Sequence, residues 1–365
     1  MTYFIGVDLH KTQFTVCVRG QKKTEMIQYQ TTKDGYDAIL KKIRRWKKAG
    51  HEVKIGVEST GNTRYFKNRV ESEGARVSVI NTLKFKVINE STKKTDKHDA
   101  ATIAEFLEKD MLPESKLCSK ETENIRRLLK SRERLVRSIV GQKNEVHALL
   151  VSLGMEDKRR SLQSKKGRQA VLDVLKSQSD NELEAQSVEL MFGMIDLMSE
   201  NVKKVEKQLS QILTEDKMVN HLLTFRGCGP ITAWTIRAYT DDIKRFKSGK
   251  KYAAFCGLVP WVQNSNETIH HGRITKRGPQ ELRTAFVQFV MGINRCKDTK
   301  EWRLVERYDY IKTRRGSGKS IVATARKLAE IVWTVLSRDE DFDSSKMLEK
   351  YSSSSLVEQA LSSVQ

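Results

Sequence analysis

Proline, paired cysteines and long apolar segments are scarce in this chain of 365 residues. It has 4 prolines and 5 cysteines, and the cysteines are scattered without the short paired spacing of a zinc site. The longest apolar run, Val188 to Met198, is broken by two acids and is too short to span a bilayer. The N-terminus lacks the layout of a secretory signal. These features argue against a disulfide scaffold or a membrane protein, and we expect a cytoplasmic protein with reduced thiols.

Acidic residues are also in deficit. The 46 Asp and Glu are outnumbered by 67 Lys and Arg, which gives a formal net charge of +21. An excess of this size attracts polyanions, and nucleic acid is the obvious partner. A membrane surface is the competing partner, but no basic amphipathic helix beside a large apolar face is found.

The first hundred residues alternate between strand and helix patterns. Strands are predicted at 3–8, 13–18 and 24–29, then a helix at 34–48, a strand at 53–58, a helix at 63–74 and a strand at 76–80. A further helix begins near Asp96. This element order is that of a ribonuclease-H-like α/β fold. In that fold the first three strands form a meander and the last two lie parallel within a covered sheet.

Four carboxylates fall at the ends of these elements. Asp8 and Glu58 close strands one and four, which lie side by side in this fold, while Asp96 and Asp99 share a face at the start of the next helix. Taken alone, the helical pair is an ordinary helix start, with Thr95 or Asp96 as N-cap and Asp99 in the first turn. Four converging carboxylates, however, repel one another unless cations lie between them.

The predicted site is therefore a metal site. Hard oxygen ligands suit Mg²⁺ or Mn²⁺, and two such ions about 4 Å apart assist phosphodiester displacement. His10 and His98 flank the carboxylates, and we expect them to touch solvent or phosphate rather than metal.

The middle of the chain is helical. Between Glu121 and Leu153, and again between 191 and 212, apolar residues recur in steps of three and four, which predicts two long helices meeting as a coiled coil. The pairing could form within one chain or between two chains. The second seam comprises Met191, Ile195, Met198, Val202, Val205, Leu209 and Ile212. A basic patch lies between the helices and is expected to hold a nucleic-acid backbone; its residues are Lys158, Arg159, Arg160, Lys165, Lys166 and Arg168.

The last third is rich in glycine turns, aromatic residues and basic residues. A turn at 226–229 precedes a helix and exposes backbone N–H groups to a phosphate. A polar loop is predicted at 263–271, and helices at 282–293 and 321–336. The predicted domains are 1–112, 113–217 and 218–338, followed by a loosely ordered polar tail at 339–365. Further nucleic-acid contacts are expected at Arg226, Gly227, Gly229, Arg273, Lys276 and Arg277.

Six motifs together resemble the DEDD transposases of bacterial insertion sequences, the one-hundred-ten family, described as bridge-RNA-guided recombinases. They are IGVD at 5–8, VESTG at 57–61, KTDKHDA at 94–100, RGCGP at 226–230, FCGLVP at 255–260 and RITKRG at 273–278. The resemblance implies a RuvC-like N-terminal domain, a coiled-coil insert and a C-terminal transposase domain. It also implies a catalytic serine in the polar loop, which here is Ser265. The family's serine is usually followed by glycine, whereas Asn266 stands in that place here.

The leading hypothesis is a Mg²⁺- or Mn²⁺-dependent recombinase that cleaves and rejoins DNA through a serine–phosphate link. A guide RNA would be a partner, with a dimer or tetramer formed through the coiled coil, acting in the bacterial cytoplasm at the nucleoid. One alternative is a junction-resolving or RNase-H-type nuclease that uses water. Another is an actin- or sugar-kinase-like ATPase, for which the second glycine-rich phosphate hairpin is missing. The third is a catalytically idle DNA-binding protein.

Overall fold

The computed structural model describes residues 1–20, 23–82, 84–85, 95–155, 159–177, 182–265 and 268–348, with the backbone alone between 262 and 271. The chain forms two compact units, Met1–Cys118 and one that begins at Ser119. Each unit is described separately below. The predicted domain boundary at residue 217 stays a prediction. Helices from both sides of that residue contribute to one apolar core.

The first unit is built on a mixed five-stranded sheet. Its strands are β1 (Thr2–Leu9), β2 (Gln13–Gly20), β3 (Lys23–Gln30), β4 (Glu52–Glu58) and β5 (Arg76–Ile80), in the spatial order β3-β2-β1-β4-β5. The first three form an antiparallel meander, and β4 and β5 run parallel to β1. The predicted meander and parallel pair are confirmed, and the arrangement is consistent with a ribonuclease-H-like fold.

The helices that cover this sheet in the described part of the unit lie on both of its faces. They are α1 (Lys33–Lys48), α2 (Thr63–Glu71) and α3 (Asp96–Glu108). Successive strand residues point to opposite faces. Accordingly, Ile5 and Val7 of β1 join the core that contains α1 and α2 residues, whereas Gly6 lies directly under α3. Asp8, two residues after Gly6, therefore lies on the α3 side of the sheet.

The contact between β1 and α3 is unusually close. A Cβ atom at Gly6 would lie 2.0 Å from the carbonyl oxygen of Ala100 and 2.4 Å from the backbone nitrogen of Ala104. Both helix residues are themselves small and fully buried. The absence of a side chain at Gly6 thus lets the helix backbone approach the strand backbone, and this approach fixes the height of α3 above the sheet.

The second unit begins with two long helices, α4 (Lys120–Ser152) and α6 (Glu182–Leu213), with α5 (Lys165–Lys176) between them in sequence. The start of α4 shares a core with the end of α6, and the end of α4 shares another core with the start of α6, so the two helices are antiparallel. Arg132 Nε donates to Glu206 across the pair at 2.7 Å. Within this chain the predicted helix pairing is therefore a hairpin.

The predicted seam of α6 is shifted near its end. Ile195 and Leu209 are buried as expected, but Ile212 is 46% exposed and the next residue, Leu213, is buried instead. The physical reason is that a straight α-helix has 3.6 residues per turn, so a strict seven-residue pattern drifts around it.

Six further α-helices and a two-stranded ribbon follow in the described part of the second unit, which is mainly helical as predicted. They are α7 (Lys217–Leu223), α8 (Pro230–Thr240), α9 (Gly249–Phe255), α10 (Gln280–Arg295), α11 (Arg303–Arg315), α12 (Ser317–Arg338) and a ribbon of β6 (Pro260–Ser265) and β7 (Thr268–Ile274). Across the described ranges, no helix is long and apolar enough to cross a membrane.

The predicted disorder from residue 339 is wrong for the first ten residues of the tail. The ring of Phe342 stacks on Phe225 with centroids 3.9 Å apart, and Met347 is buried. Burying these two apolar side chains offsets the entropy of ordering a polar segment. Residues 349–365 lie outside the described part of the chain.

Replacing Gly6 with Ala tests the contact between β1 and α3. Because the new Cβ would overlap backbone atoms that cannot rotate away, we expect the first unit to lose about 3 kcal/mol of stability. Hydrogen–deuterium exchange should then speed up in β1 and α3. The control is Gly61→Ala, where no atom lies within 4 Å of the added Cβ, and its effect should stay within about 0.5 kcal/mol. Equal exchange in both variants would contradict the proposed role of Gly6.

Candidate active site and nucleic-acid interface

Two of the predicted carboxylates meet at the end of β1, together with a histidine. His10 Nε2 lies 3.0 Å from Asp8 Oδ2 and 3.6 Å from Asp96 Oδ1. One ligand atom from each of the three residues lies within 4.8 Å of the other two. The group combines a buried acid with two half-exposed side chains, so a small solute can reach it from solvent.

Asp96 owes its position to the start of α3. The Thr95 hydroxyl accepts the N–H of His98 at 3.2 Å and caps the helix, which confirms Thr95 as the N-cap and makes Asp96 the first helical residue. The positive end of the helix dipole stabilises a carboxylate there. Gln13 Nε2 also approaches Asp96 Oδ2, at 3.4 Å.

Glu58 and Asp99 lie at the places that the sequence predicts. Val7 pairs with Val57 in the parallel register of β1 and β4, so Asp8 and Glu58 are the next residues on adjacent strands. Gly56 lies under Ile103 of α3, and by alternation Glu58 points to the same side as Asp8. Neither Glu58 nor Asp99 is part of the three-residue group, although the charge of Asp99 acts on Asp8.

The electrostatics of Asp8 reflect this crowding. Burial is the largest effect and raises the pKa of Asp8 above its usual value, while the His10 imidazole lowers it and the Asp96 and Asp99 carboxylates raise it. A desolvated carboxylate beside two other acids is stabilised by a cation. The donor set, carboxylate oxygens with one imidazole nitrogen, fits a divalent metal ion.

The prediction that His10 contacts solvent or phosphate rather than metal stays a prediction, but the structure places its imidazole beside Asp8 and Asp96. The turn between β1 and β2 returns its side chain over the strand end, and that turn is held by groups distant in sequence. His10 O accepts from Thr31 Oγ1 at 3.2 Å and from Asn62 Nδ2 at 3.1 Å. The signal in the sequence was its place two residues after Asp8, just beyond a strand end.

The segment that carries Ser265 is a β-ribbon, so the predicted polar loop is wrong. Val262 through Ser265 pair antiparallel with β7, and Ser265 pairs with Thr268 at the end of the ribbon. Polar residues form strands here because the pairing is made by backbone hydrogen bonds and requires no apolar face. Asn266 lies outside the described residues.

Two of the motifs pack together at the base of this ribbon. Thr275 N–H donates to the carbonyl of Val259 at 2.9 Å. A Cβ at Gly278 would lie 1.9 Å from the Phe255 carbonyl oxygen, and one at Gly257 would lie 2.7 Å from the Arg277 carbonyl oxygen. Both glycines have positive φ. The basic side chains of Arg273, Lys276 and Arg277 are exposed beside this contact.

Part of the predicted basic patch between α4 and α6 is exposed, and its contact with nucleic acid stays a prediction. Arg159, Arg160, Lys165 and Lys166 are exposed, whereas Lys158 lies outside the described residues. The prediction for Arg168 is wrong. Only 8% of its side chain is exposed, it pairs with Asp196 of α6, and its guanidinium lies over the ring of Phe192. Arg168 therefore holds α5 against α6 and is not available to a nucleic-acid backbone.

The glycine turn before α8 combines packing with exposure. Gly227 has φ +83°, and a Cβ there would lie 2.4 Å from the backbone nitrogen of Ile293, so this glycine allows a close approach to α10. Gly229 is the N-cap of α8 with Pro230 following it, and Arg226 is exposed. The predicted N-terminal turn of a helix is confirmed, while Gly227 itself serves packing.

A cavity of about 710 Å³ opens between α4, α8 and α10, and the sequence had not indicated it. Four basic residues of α4 line it, together with residues along α8 and from the first half of α10. Those four are Lys130, Arg132, Arg134 and Arg137. Lining groups from three separate helices meet only in the folded unit, so no local motif could have revealed them.

Comparison with known families agrees with this architecture. A DEDD transposase family model matches residues 5–155, which include all four predicted carboxylates. A second model, "Transposase IS116/IS110/IS902 family", matches residues 219–305, which include the glycine turn and the β6–β7 ribbon. Together the two models match well over half of the chain.

Full-length relatives carry related names. A "Probable family 20 transposase" of Pseudomonas aeruginosa is 27% identical over 78% of this chain and 84% of its own length. The "Transposase for insertion sequence element IS1111A" of Coxiella burnetii is 26% identical over 93% and 90%. A "Pilin gene-inverting protein" of Moraxella bovis is 23% identical over 93% and 97%. The chain belongs to the IS116/IS110/IS902 family of insertion-sequence transposases, enzymes that act on DNA.

Proposed function

We propose that this transposase is a site-specific recombinase that cleaves DNA strands and rejoins them through a serine–phosphate link. The observation that carries the proposal is the meeting of Asp8 and Asp96 at the end of β1, within a chain that also holds the Ser265 ribbon. The acids would supply a metal site, and the serine would supply the nucleophile.

The carboxylates Asp8, Glu58, Asp96 and Asp99 would hold Mg²⁺ or Mn²⁺. Such ions, when bound, lower the barrier by stabilising charge on the phosphate and the departing oxygen. The protein's own contribution is orientation. Thr63 Oγ1 donates to the Glu58 carbonyl at 2.6 Å and holds the end of β4, while the Thr95 cap holds Asp96.

Ser265 would attack the phosphorus of the scissile phosphodiester. A bond forms between its oxygen and phosphorus, one bond from phosphorus to a sugar oxygen breaks, and the serine proton ends on that departing hydroxyl. A hydroxyl of another strand then reverses the step and frees the serine, so the strands are rejoined without ATP. A relative that inverts a pilin gene supports this reading, because inversion requires that cut strands be rejoined.

A nuclease that uses water is the second candidate function. It needs only the four acids, and the first unit supplies them without any residue of the second. Water as nucleophile would leave a plain nick, since the energy of the cleaved bond is not stored in a protein–DNA link.

The basic residues support polyanion binding by the second unit. Arg160, Lys165 and Lys166 are exposed near the tip of the α4–α6 hairpin, and Arg273, Lys276 and Arg277 are exposed beside the Ser265 ribbon. We infer that these two groups hold DNA and a guide RNA by their backbones, largely irrespective of base sequence. A chain with these substrates would act in the bacterial cytoplasm at the nucleoid.

Exposed leucines on α6 support a homo-oligomer. Leu183, Leu190 and Leu197 are 76%, 73% and 59% exposed and recur every seven residues, the spacing of one stripe along a helix. A stripe of this kind fits a helix of a second copy. A dimer or tetramer through the helical hairpin remains part of the proposal.

Replacing Asp8 with Asn tests the metal site. DNA strand cleavage should fall about a hundredfold or more, because the amide no longer supplies an anionic ligand. The variant removes a desolvated negative charge, so without metal its unfolding temperature should equal or exceed that of the parent. Mg²⁺ should raise the unfolding temperature of the parent but not of the variant, as measured by differential scanning calorimetry.

The matched control for Asp8 is Asp110→Asn, an exposed acid just beyond the other end of α3 whose positive φ an asparagine tolerates. It should keep both cleavage and Mg²⁺ stabilisation. Equal Mg²⁺ stabilisation of the parent, Asp8→Asn and Asp110→Asn would contradict the proposed metal site at Asp8.

Replacing Ser265 with Ala separates the recombinase from the nuclease. Incubation with labelled target DNA, Mg²⁺ and co-purified RNA, followed by a denaturing gel, should show a covalent protein–DNA adduct for the parent and none for the variant. DNA binding should persist in both. A parent that only nicks would favour the water-using nuclease, and a variant that still forms the adduct would place the nucleophile elsewhere.

Neutralising Arg160 and Lys166 together tests the basic patch. If both contact phosphates, the slope of log affinity against log salt for duplex DNA should decrease by about 2. Arg168→Met is the contrasting variant: it should lower the unfolding temperature by breaking the pair with Asp196 while leaving the slope unchanged. Identical slopes for the parent and the double variant would show that these residues are exposed to solvent and do not contact phosphates.

A further inference from the structure

His10 occupies a position that is held from several directions. Its backbone N–H donates to the Gln13 carbonyl at 3.0 Å, and its own carbonyl accepts from Thr31 and Asn62. The first residue of β2, the residue that follows β3 and a residue of the β4–α2 turn thus hold one backbone unit. These bonds fix the backbone of His10, and the contact of its Nε2 with Asp8 Oδ2 orients the ring.

The imidazole is held where a metal ligand would have to be. Adjacent ligands of an octahedral ion lie about 3 Å apart when each is about 2.1 Å from the metal. His10 Nε2 is 3.0 Å from Asp8 Oδ2 and 3.6 Å from Asp96 Oδ1, and one ligand atom from each residue lies within 4.8 Å of the other two, so the three side chains are close enough to reach one ion. A simple ion pair would need only one carboxylate, whereas this nitrogen lies near both.

We propose that His10 is a direct metal ligand, and that its nitrogen makes the site prefer Mn²⁺ to Mg²⁺. The inference rests on the proposed metal site and narrows it to a donor set of one imidazole and two or more carboxylates. Mg²⁺ prefers oxygen ligands throughout, whereas a nitrogen donor is accepted more readily by transition-metal ions. The residue therefore determines which ion the first unit takes up.

Pulsed electron paramagnetic resonance of the full chain loaded with Mn²⁺ alone reads the ligand directly. The parent should show electron spin echo modulation from a coordinated ¹⁴N nucleus, and His10→Asn should lose it. The matched control is His98→Asn, because His98 lies two residues after Asp96 but outside the group and should keep the modulation. Labelling the parent with ¹⁵N-histidine should change the modulation to that of ¹⁵N, which requires no variant to fold.

Calorimetric titration with each ion gives the selectivity. The ratio of Mn²⁺ to Mg²⁺ affinity should fall about tenfold or more in His10→Asn and stay at the parent's value in His98→Asn. Mn²⁺ binding that depends on Asp8 but shows no nitrogen modulation would overturn the role of His10 and leave the metal site standing. Failure of the parent to bind either ion would overturn both.

Discussion

The close approach of α3 to β1 is the constraint on which the first unit depends. The helix backbone rests on Gly6, and small residues at Ala100 and Ala104 let it do so. The helix begins at Asp96, about one turn before Ala100. Because Ala100 rests on Gly6, the Asp96 carboxylate lies beside the end of the strand. A side chain at Gly6 would lift the helix and move Asp96 away from Asp8, so the chemistry of the site is set by a residue that has no functional group.

The same geometry explains how mutually repulsive acids can coexist. Strand alternation turns Asp8 and Glu58 to the α3 side, and the helix start adds Asp96 and Asp99. Repulsion among them is reduced by the positive end of α3, by the Gln13 amide and by the His10 ring. The helix dipole and the Gln13 amide reduce the repulsion without cancelling the charges of the acids.

The sequence predicted the sheet and the places of the four acids at element ends, because strand periodicity and strand ends are local patterns and parallel pairing follows from element order. The sequence analysis failed where the burial or order of a residue depends on a partner far away in the sequence. Arg168 can be buried because its guanidinium donates a hydrogen bond to the carboxylate of Asp196, 28 residues later. The backbone of His10 is held at the end of β1 by hydrogen bonds from Thr31 and Asn62. The β6–β7 ribbon has no apolar alternation to reveal it, and the tail is ordered by the fit of Phe342 on Phe225.

The antiparallel hairpin of α4 and α6 sets a length scale for the second unit. A helix of 33 residues such as α4 is about 50 Å long, which equals about 15 base pairs of duplex DNA. The cavity between α4, α8 and α10 is lined by α4 residues 129–137, near the middle of this helix, and the exposed residues Arg160 and Lys166 follow its C-terminal end. The part of α4 between Arg137 and Ser152 is about 22 Å long, which equals about 7 base pairs of duplex. A duplex shorter than this could contact only one of the two basic surfaces at a time.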